Sequence, residues 1–195
     1  ILGTICKEMS ENNDIEIVIA SGDMDTLQLI TKEKIRVYTL RKGIKDTVLY
    51  DEKAVRERFG FGPELLPDLK GLMGDPSDNI PGVVGVGEGS AVKMVSVFGG
   101  LEKIYEAIER DGVEAVAKKI GVQKRYIELV ANHKEEAEFS KILATIRVDA
   151  PIKFSLPEKS WKEGLEMARA ESLFTDLEFA GQGRLELLHL RLDQG

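Results

Sequence analysis

Apolar residues recur at helical spacing through Ile1, Leu2, Ile5, Cys6 and Met9. Next comes Ile15-Glu16-Ile17-Val18-Ile19-Ala20, a β-branched and nearly continuous apolar run that predicts an interior strand covered on both faces. The run stops at Ser21-Gly22-Asp23. Beyond it, Thr26 to Ile30 reads as a short helix, Ile35 to Leu40 alternates as a second strand, and Gly43 turns the chain toward Val48 to Tyr50. Residues 1–50 are therefore α/β in pattern.

From Asp51, an expected N-cap for Glu52 to Phe59, the period becomes helical: Leu65 to Met73, Ala91 to Phe98, Leu101 to Ile108, Val113 to Ile120 and Lys124 to Phe139. No strand pattern interrupts residues 51–142. The run Leu143-Ala144-Thr145-Ile146-Arg147-Val148 predicts one further strand, Pro151 and Pro157 bracket an extended piece, and Glu158 to Phe174 returns to helix. The organisation read from the pattern is an α/β part at 1–50, a helical subdomain at 51–142, a strand and helix returning to the core at 143–180, and a charged, leucine-rich tail at 181–195. There is no internal repeat or low-complexity linker.

Composition narrows the classes. With 43% hydrophobic and 31% charged residues among 195, the chain can bury a core. Cys6 has no partner for an internal disulfide, and neither a secretory signal nor a long apolar run is present, so the expected setting is a reducing cytoplasm with no membrane partner. The 27 Lys and Arg against 34 Asp and Glu leave a net charge of −7, which argues against holding nucleic acid by overall positive charge. Local basic runs remain: Lys32, Lys34, Arg36, Arg41, Lys42 and Lys45 against Glu33 and Asp46, and Lys118, Lys119, Lys124 and Arg125, each either a steering face or a solvated one.

Two clusters carry chemistry. Gly22-Asp23-Met24-Asp25 stands where a strand ends, the edge at which open α/β sheets collect ligands. Two hard carboxylates that converge there need a cation or proton between them; alternatively Asp25 caps the helix from Thr26 and Asp23 fills a turn. The second cluster is Gly74-Asp75-Pro76-Ser77-Asp78-Asn79-Ile80-Pro81-Gly82. Asp75 and Asp78 share a face if the turn is helical, although Asp75 before Pro76 is also the order of a capping aspartate and a first-turn proline.

The segment Pro81-Gly82-Val83-Val84-Gly85-Val86-Gly87-Glu88-Gly89-Ser90-Ala91 follows, a glycine-dense hairpin running into a helix. Glycines let backbone N–H groups approach an anion, and a helix N-terminus favours phosphate. A plain turn between packed helices is the other reading. A dinucleotide fingerprint is excluded, because no strand precedes Gly85 and the third glycine is misplaced. Neither His133 nor His189 has a serine or cysteine arrangement that would make a nucleophilic triad.

Gly-Asp-x-Asp after a strand, then Gly-Asp-Pro-Ser-Asp-Asn-Ile-Pro-Gly-Val, then Gly-Val-Gly leading to Ala, resembles in order and spacing the 5′ nuclease domain of bacterial DNA polymerase I and the related 5′-3′ exonucleases and flap endonucleases. These motifs occupy Gly22 to Asp25, Gly74 to Val83 and Gly85 to Ala91, and the likeness extends from Ile1 to about Phe179. The resemblance implies the C-terminal part of a PIN-like, resolvase-like α/β nuclease core with a helix-three-turn-helix DNA-binding subdomain.

It also implies metal-ligand and catalytic roles for Asp23, Asp25, Asp75 and Asp78, and contact with the duplex backbone by Gly82, Val83, Gly85, Val86, Gly87 and Ser90, whose hairpin carbonyls would hold K⁺. Family members usually carry a lysine where this chain has Gly89, and Lys93 one turn later is the expected substitute. The reaction implied is phosphodiester hydrolysis at a 5′ end, nick or flap, with two Mg²⁺ (or Mn²⁺) ions activating water and stabilising the leaving 3′ oxygen, in a protein that also carries a polymerase domain.

The family's earlier acidic residues, including a Glu-x-Asp-Asp cluster, would precede Ile1. Two Mg²⁺ bring +4 against −4 from four aspartates, so a complete cage needs further ligands. The expectation for this chain alone is weak or absent cleavage, and the alternative function is a non-catalytic, structure-recognising DNA-binding module. An RNA-cleaving enzyme of similar fold is disfavoured by the glycine hairpin.

Overall fold

The computed structural model describes residues 1–32, 34–40 and 46–177. Residues 1–152 make one compact unit, and a second begins at Lys153. In the first, helix α1 (Leu2–Ser10) precedes β1 (Ile17–Ala20), the 3-10 helix Met24–Leu29, β2 (Ile35–Leu40) and β3 (Thr47–Tyr50). The strand order is β1-β2-β3, parallel between β1 and β2 and antiparallel between β2 and β3.

The pattern's interior strand is corrected here. Among the described residues β1 pairs on one side only, with β2, and Val18 is 51% exposed. Register explains which face is bare: Ala20 stands opposite Tyr38 and Tyr38 opposite Leu49, all three exposed, while Ile19, Val37 and Tyr50 point into the core. Gly43 and the basic residues Arg41, Lys42 and Lys45, with Glu33, lie outside the described residues.

Asp51 caps α2 (Glu52–Phe59) as expected, its Oδ1 accepting the Ala54 N–H at 2.7 Å, and Gly60 ends the helix in the left-handed region at φ 84°. The helices α3 (Leu66–Met73), α4 (Glu88–Phe98), α5 (Leu101–Asp111), α6 (Val113–Ile120), α7 (Lys124–Asn132) and α8 (Lys134–Ala144) complete the unit. Their inward stripes give Leu72, Met94, Leu101, Ile104, Ile127 and Val130, each with almost no exposed area.

The single helix expected over Lys124 to Phe139 is two. His133 leaves helical geometry (φ −125°, ψ 44°) with its Nδ1 2.8 Å from the Leu129 carbonyl, and Glu135 and Glu136 open α8 where acids favour a helix start.

The strand expected over Leu143 to Val148 does not form. Leu143 and Ala144 end α8, and residues 145–148 follow as irregular chain, bent at Thr145 and Val148, with no strand pairing among the described residues. They are tied instead by side chains. Gln28 donates to the Ala144 carbonyl (2.9 Å) and accepts from the Ile146 N–H (2.8 Å), while Thr4 accepts the Ala150 N–H (3.0 Å). Ile146 and Arg147 come so near Gly3 that a Cβ there would sit 2.7 Å from Ile146. This β-branched run therefore packs against α1 and the 3-10 helix instead of joining the sheet.

In the second unit the helix expected over Glu158 to Phe174 is divided into α9 (Trp161–Gly164), which has a Ser160/Glu163 capping box, and α10 (Met167–Asp176). The tail, His189 included, lies outside the described residues. No helix among the described residues is long and apolar enough to cross a membrane.

Candidate functional site

The site assembles at the C-terminal end of β1. Backbone leaves the strand at Ser21 and winds into the 3-10 helix, and the Asp23 carboxylate caps that helix by accepting the Asp25 N–H at 2.9 Å. With Asp23 used as the cap, Asp25 rather than Asp23 projects toward α3.

The second aspartate pair is set by a tight turn, not by a helix. Asp75 and Ile80 exchange both backbone hydrogen bonds at 2.9 Å, and the chain between them turns through Asn79 at φ 57°. Gly74 and Gly82 close the neck of the turn. A Cβ on Gly82 would fall 2.1 Å from the Gly74 nitrogen, and both residues have positive φ. That contact is the physical reason for glycine at each end of the motif.

One carboxylate oxygen each from Asp25, Asp75 and Asp78 lies within 4.8 Å of the others, and Asp23 stays outside this group. Between Asp25 and Asp75 stands a residue that pattern reading missed: the Lys70 ammonium donates to Asp25 Oδ1 and to Asp75 Oδ2, the latter at 2.5 Å. Asp75 Oδ1 also accepts from the Ser77 N–H (2.9 Å) and Oγ–H (2.6 Å). The Lys70 hydrogen bond, followed by that from the Ser77 side chain, holds the Asp75 carboxyl down at about 2. A signal for Lys70 was present in the sequence, since it is the lone cation in Leu66-Pro67-Asp68-Leu69-Lys70-Gly71-Leu72-Met73, a helix otherwise mostly buried. Arg58 and Glu88 were also missed; with Asp25, Lys70 and Asp75 they line a cavity of about 200 Å³.

The hairpin is anchored on its inner side and open on its outer side. Gly82 N–H donates to the buried Ser140 hydroxyl (3.0 Å), Val83 N–H to the Leu72 carbonyl (2.8 Å) and Val86 N–H to the Val83 carbonyl (2.9 Å), while the Val83 and Val86 side chains enter the core. The amides of Val84, Gly85 and Gly87 find no acceptor among the described residues, and Val84 is 78% exposed. Gly87 starts α4, with Ser90 in its first turn. Lys93 is turned toward the end of α6, donating to the Gly121 carbonyl at 3.3 Å. Of the basic runs, Lys34 bonds the Asn12 carbonyl, Arg36 pairs with Glu16 (2.6 Å), Lys119 lies 4.8 Å from the Phe98 ring centroid and Lys124 pairs with Glu128 (3.5 Å).

A small mixed sheet packed with helices, with carboxylates from the end of β1 and from the turn after α3 gathered together, is a 5′ nuclease type of fold. The chain belongs to the 5′-3′ exonuclease family: residues 61–166 match the family model described as "5'-3' exonuclease, C-terminal SAM fold".

It is 41% identical over 179 residues to DNA polymerase I of Bacillus subtilis (strain 168), covering 92% of this chain and 19% of that protein. Against DNA polymerase I of Chloroflexus aurantiacus it is 35% identical over 188 residues, 95% of this chain and 18% of that protein. The chain therefore spans about a fifth of the length of these curated relatives.

Among solved structures, T5 5′-exonuclease with bound divalent metal ions (zinc) superposes with a TM-score of 0.59 at 23% identity, over 73% of this chain and 47% of that one. The catalytic core of Rad2 in complex with DNA substrate gives 0.55 at 14% identity, over 97% and 61%. Both carry the fold.

Proposed function

We propose that the protein containing this chain hydrolyses DNA phosphodiesters near a 5′ end, nick or flap in a reaction that requires divalent metal, and that it carries a polymerase domain as its DNA polymerase I relatives do. The observation that supports this reading most strongly is the meeting of Asp25 with Asp75 and Asp78, from two separate motifs, within 4.8 Å.

The donors fit a hard divalent cation. All three are carboxylate oxygens, and the space between Asp25 and Asp75 already attracts a cationic group, Lys70. Asp25, Asp75 and Asp78 would hold Mg²⁺ or Mn²⁺. Once bound, it supplies Lewis acidity that lowers the pKa of water and offsets charge on the leaving oxygen. Asp23 orients Asp25 through its cap, and Ser77 fixes the plane of the Asp75 carboxylate.

The open amides of Val84, Gly85 and Gly87, with Ser90 and the α4 N-terminus, bind duplex phosphates without reading sequence, Gly82, Val83 and Val86 hold the loop in shape, and K⁺ is the expected partner of its carbonyls. Lys93 adds charge at the far side of α4.

A second reading has its own support. Three carboxylates against one ammonium leave a charge deficit too small for two divalent ions, which suits a chain that recognises DNA structure and needs further ligands to cut. The test is Mg²⁺- or Mn²⁺-dependent cleavage of a 5′-flap substrate by the parent protein and by this chain, each with an Asp75→Ala control. The expected result is cleavage by the parent, abolished in its control, and binding with little cleavage by the chain. A parent protein that does not cut refutes the nuclease reading.

A further inference from the structure

The cavity beside the acidic cluster has a cationic wall to which the reading above gives no role. Arg58 lies in the last turn of α2 and lines this space together with Asp25, Asp75 and Glu88. Its guanidinium is held by three contacts. Nη1 donates to the Tyr50 hydroxyl at 2.7 Å, and Cζ lies 5.0 Å from the Phe59 ring centroid and 5.9 Å from that of Tyr50.

Arg36, Arg56, Arg110 and Arg147 each pair with a carboxylate. Arg58 shares its cavity with three acids, yet forms no ion pair among the described residues. A guanidinium has five N–H donors in a planar fork, and one bond to Tyr50 leaves most of them uncommitted. Aromatic contacts fix the fork in advance, so little side-chain freedom is lost when an anion arrives.

We propose that Arg58 binds a backbone phosphate of the DNA strand whose neighbouring phosphodiester lies at the Asp25–Asp75–Asp78 cluster, and so sets that strand's register at the site. This rests on the nuclease reading. Lys70 cannot take the same part, because its ammonium is already shared between Asp25 and Asp75. Two cations thus divide the work on one cavity: Lys70 neutralises carboxylates, and Arg58 faces the incoming strand. Arg58 is a substrate-binding residue at a distance from the bond that breaks.

The experiment measures binding of a nicked duplex with a short 5′ flap by fluorescence anisotropy, using the whole chain in Ca²⁺. Single phosphates around the junction are replaced one at a time by neutral methylphosphonate. At one position the wild-type chain should bind about tenfold more weakly, whereas Arg58→Gln should lose about tenfold on unmodified DNA and nothing further at that position. The slope of log K against log salt should fall by about 0.9 in Arg58→Gln.

Arg58→Lys keeps the charge without the fork, so it should retain the salt slope and bind less tightly. If loss of the Tyr50 bond unfolds Arg58→Gln, Arg58→Met, which keeps the apolar stem against Phe59, takes its place, and a folded Arg58→Met with wild-type affinity and wild-type methylphosphonate profile overturns the proposal. Equal methylphosphonate penalties in wild type and Arg58→Gln at every position overturn it too, while leaving the nuclease reading standing. A folded wild-type chain that binds none of these DNAs counts against both.

Discussion

Helix α3 carries two charges two residues apart, the buried Asp68 and the half-buried Lys70, and they end in opposite situations. Asp68 is 3% exposed and fully matched: its Oδ1 takes the Leu101 N–H at 2.7 Å, capping α5, and the Lys141 ammonium at 2.7 Å. Lys141 reaches on to Glu102 at 2.8 Å. Burial disfavours the Lys141 charge, but its hydrogen bonds to Asp68 and Glu102 outweigh burial and raise its pKa, and Lys141 in turn lowers that of Glu102. Lys70 faces an excess instead, with one ammonium against Asp25, Asp75 and the nearby Asp78. A saturated pair holds helices together, whereas the cluster around Lys70 is left with net negative charge.

The contrast can be broken most severely at Asp68. Asp68→Ala leaves a buried helix-terminal N–H without its acceptor and Lys141 with Glu102 alone, and should cost about 1–3 kcal/mol in chemical denaturation while leaving flap binding per folded molecule unchanged. Next, Asp75→Ala should lower cleavage by the parent protein more than about a hundredfold and lower the melting temperature less than Asp68→Ala does, because Lys70 keeps Asp25 as a partner and one crowded carboxylate is gone. A variant that melts like Asp68→Ala would show that the two clusters do not differ in kind.

Lys70→Met should destabilise the metal-free chain by about 1–2 kcal/mol through carboxylate repulsion, and Mn²⁺ should raise its melting temperature more than it raises that of wild type. The smallest effect is in pH. Asp75 titrates at about 2 when folded, below its ordinary 3.8, so the stability it contributes is complete above 3.8 and is lost as pH falls toward 2. The stability difference between wild type and Lys70→Met should therefore narrow across that window in acid unfolding followed by circular dichroism.

Much of this was legible in the linear pattern, for reasons that can be named. The run Ile35 to Leu40 is a strand because its alternation matches the pleat, with Ile35, Val37 and Thr39 inward. Helices α5 and α6 follow their apolar stripes and start after glycines. The order Gly-Asp-x-Asp, Gly-Asp-Pro-Ser-Asp-Asn and glycine hairpin identified the family. Local readings failed where tertiary contacts intervened: residues 145–148 have the β-branched content of a strand but meet Gln28 and α1 before they meet a sheet edge, and His133 divides a continuous helical period.

The sequence by itself therefore determined which residue types reach the carboxyl end of β1, and glycines were required at Gly74 and Gly82 because their backbones touch. Which side chains cooperate was decided only in three dimensions. Asp25 joins Asp75 and Asp78 because Asp23 is consumed as a cap, Lys70 falls between two motifs 45 and 5 residues away, and Arg58 reaches the same cavity from α2. Periodicity reports the face on which a residue lies within its own element, but electrostatic partnership depends on distances between elements, and those are set by how the helices pack.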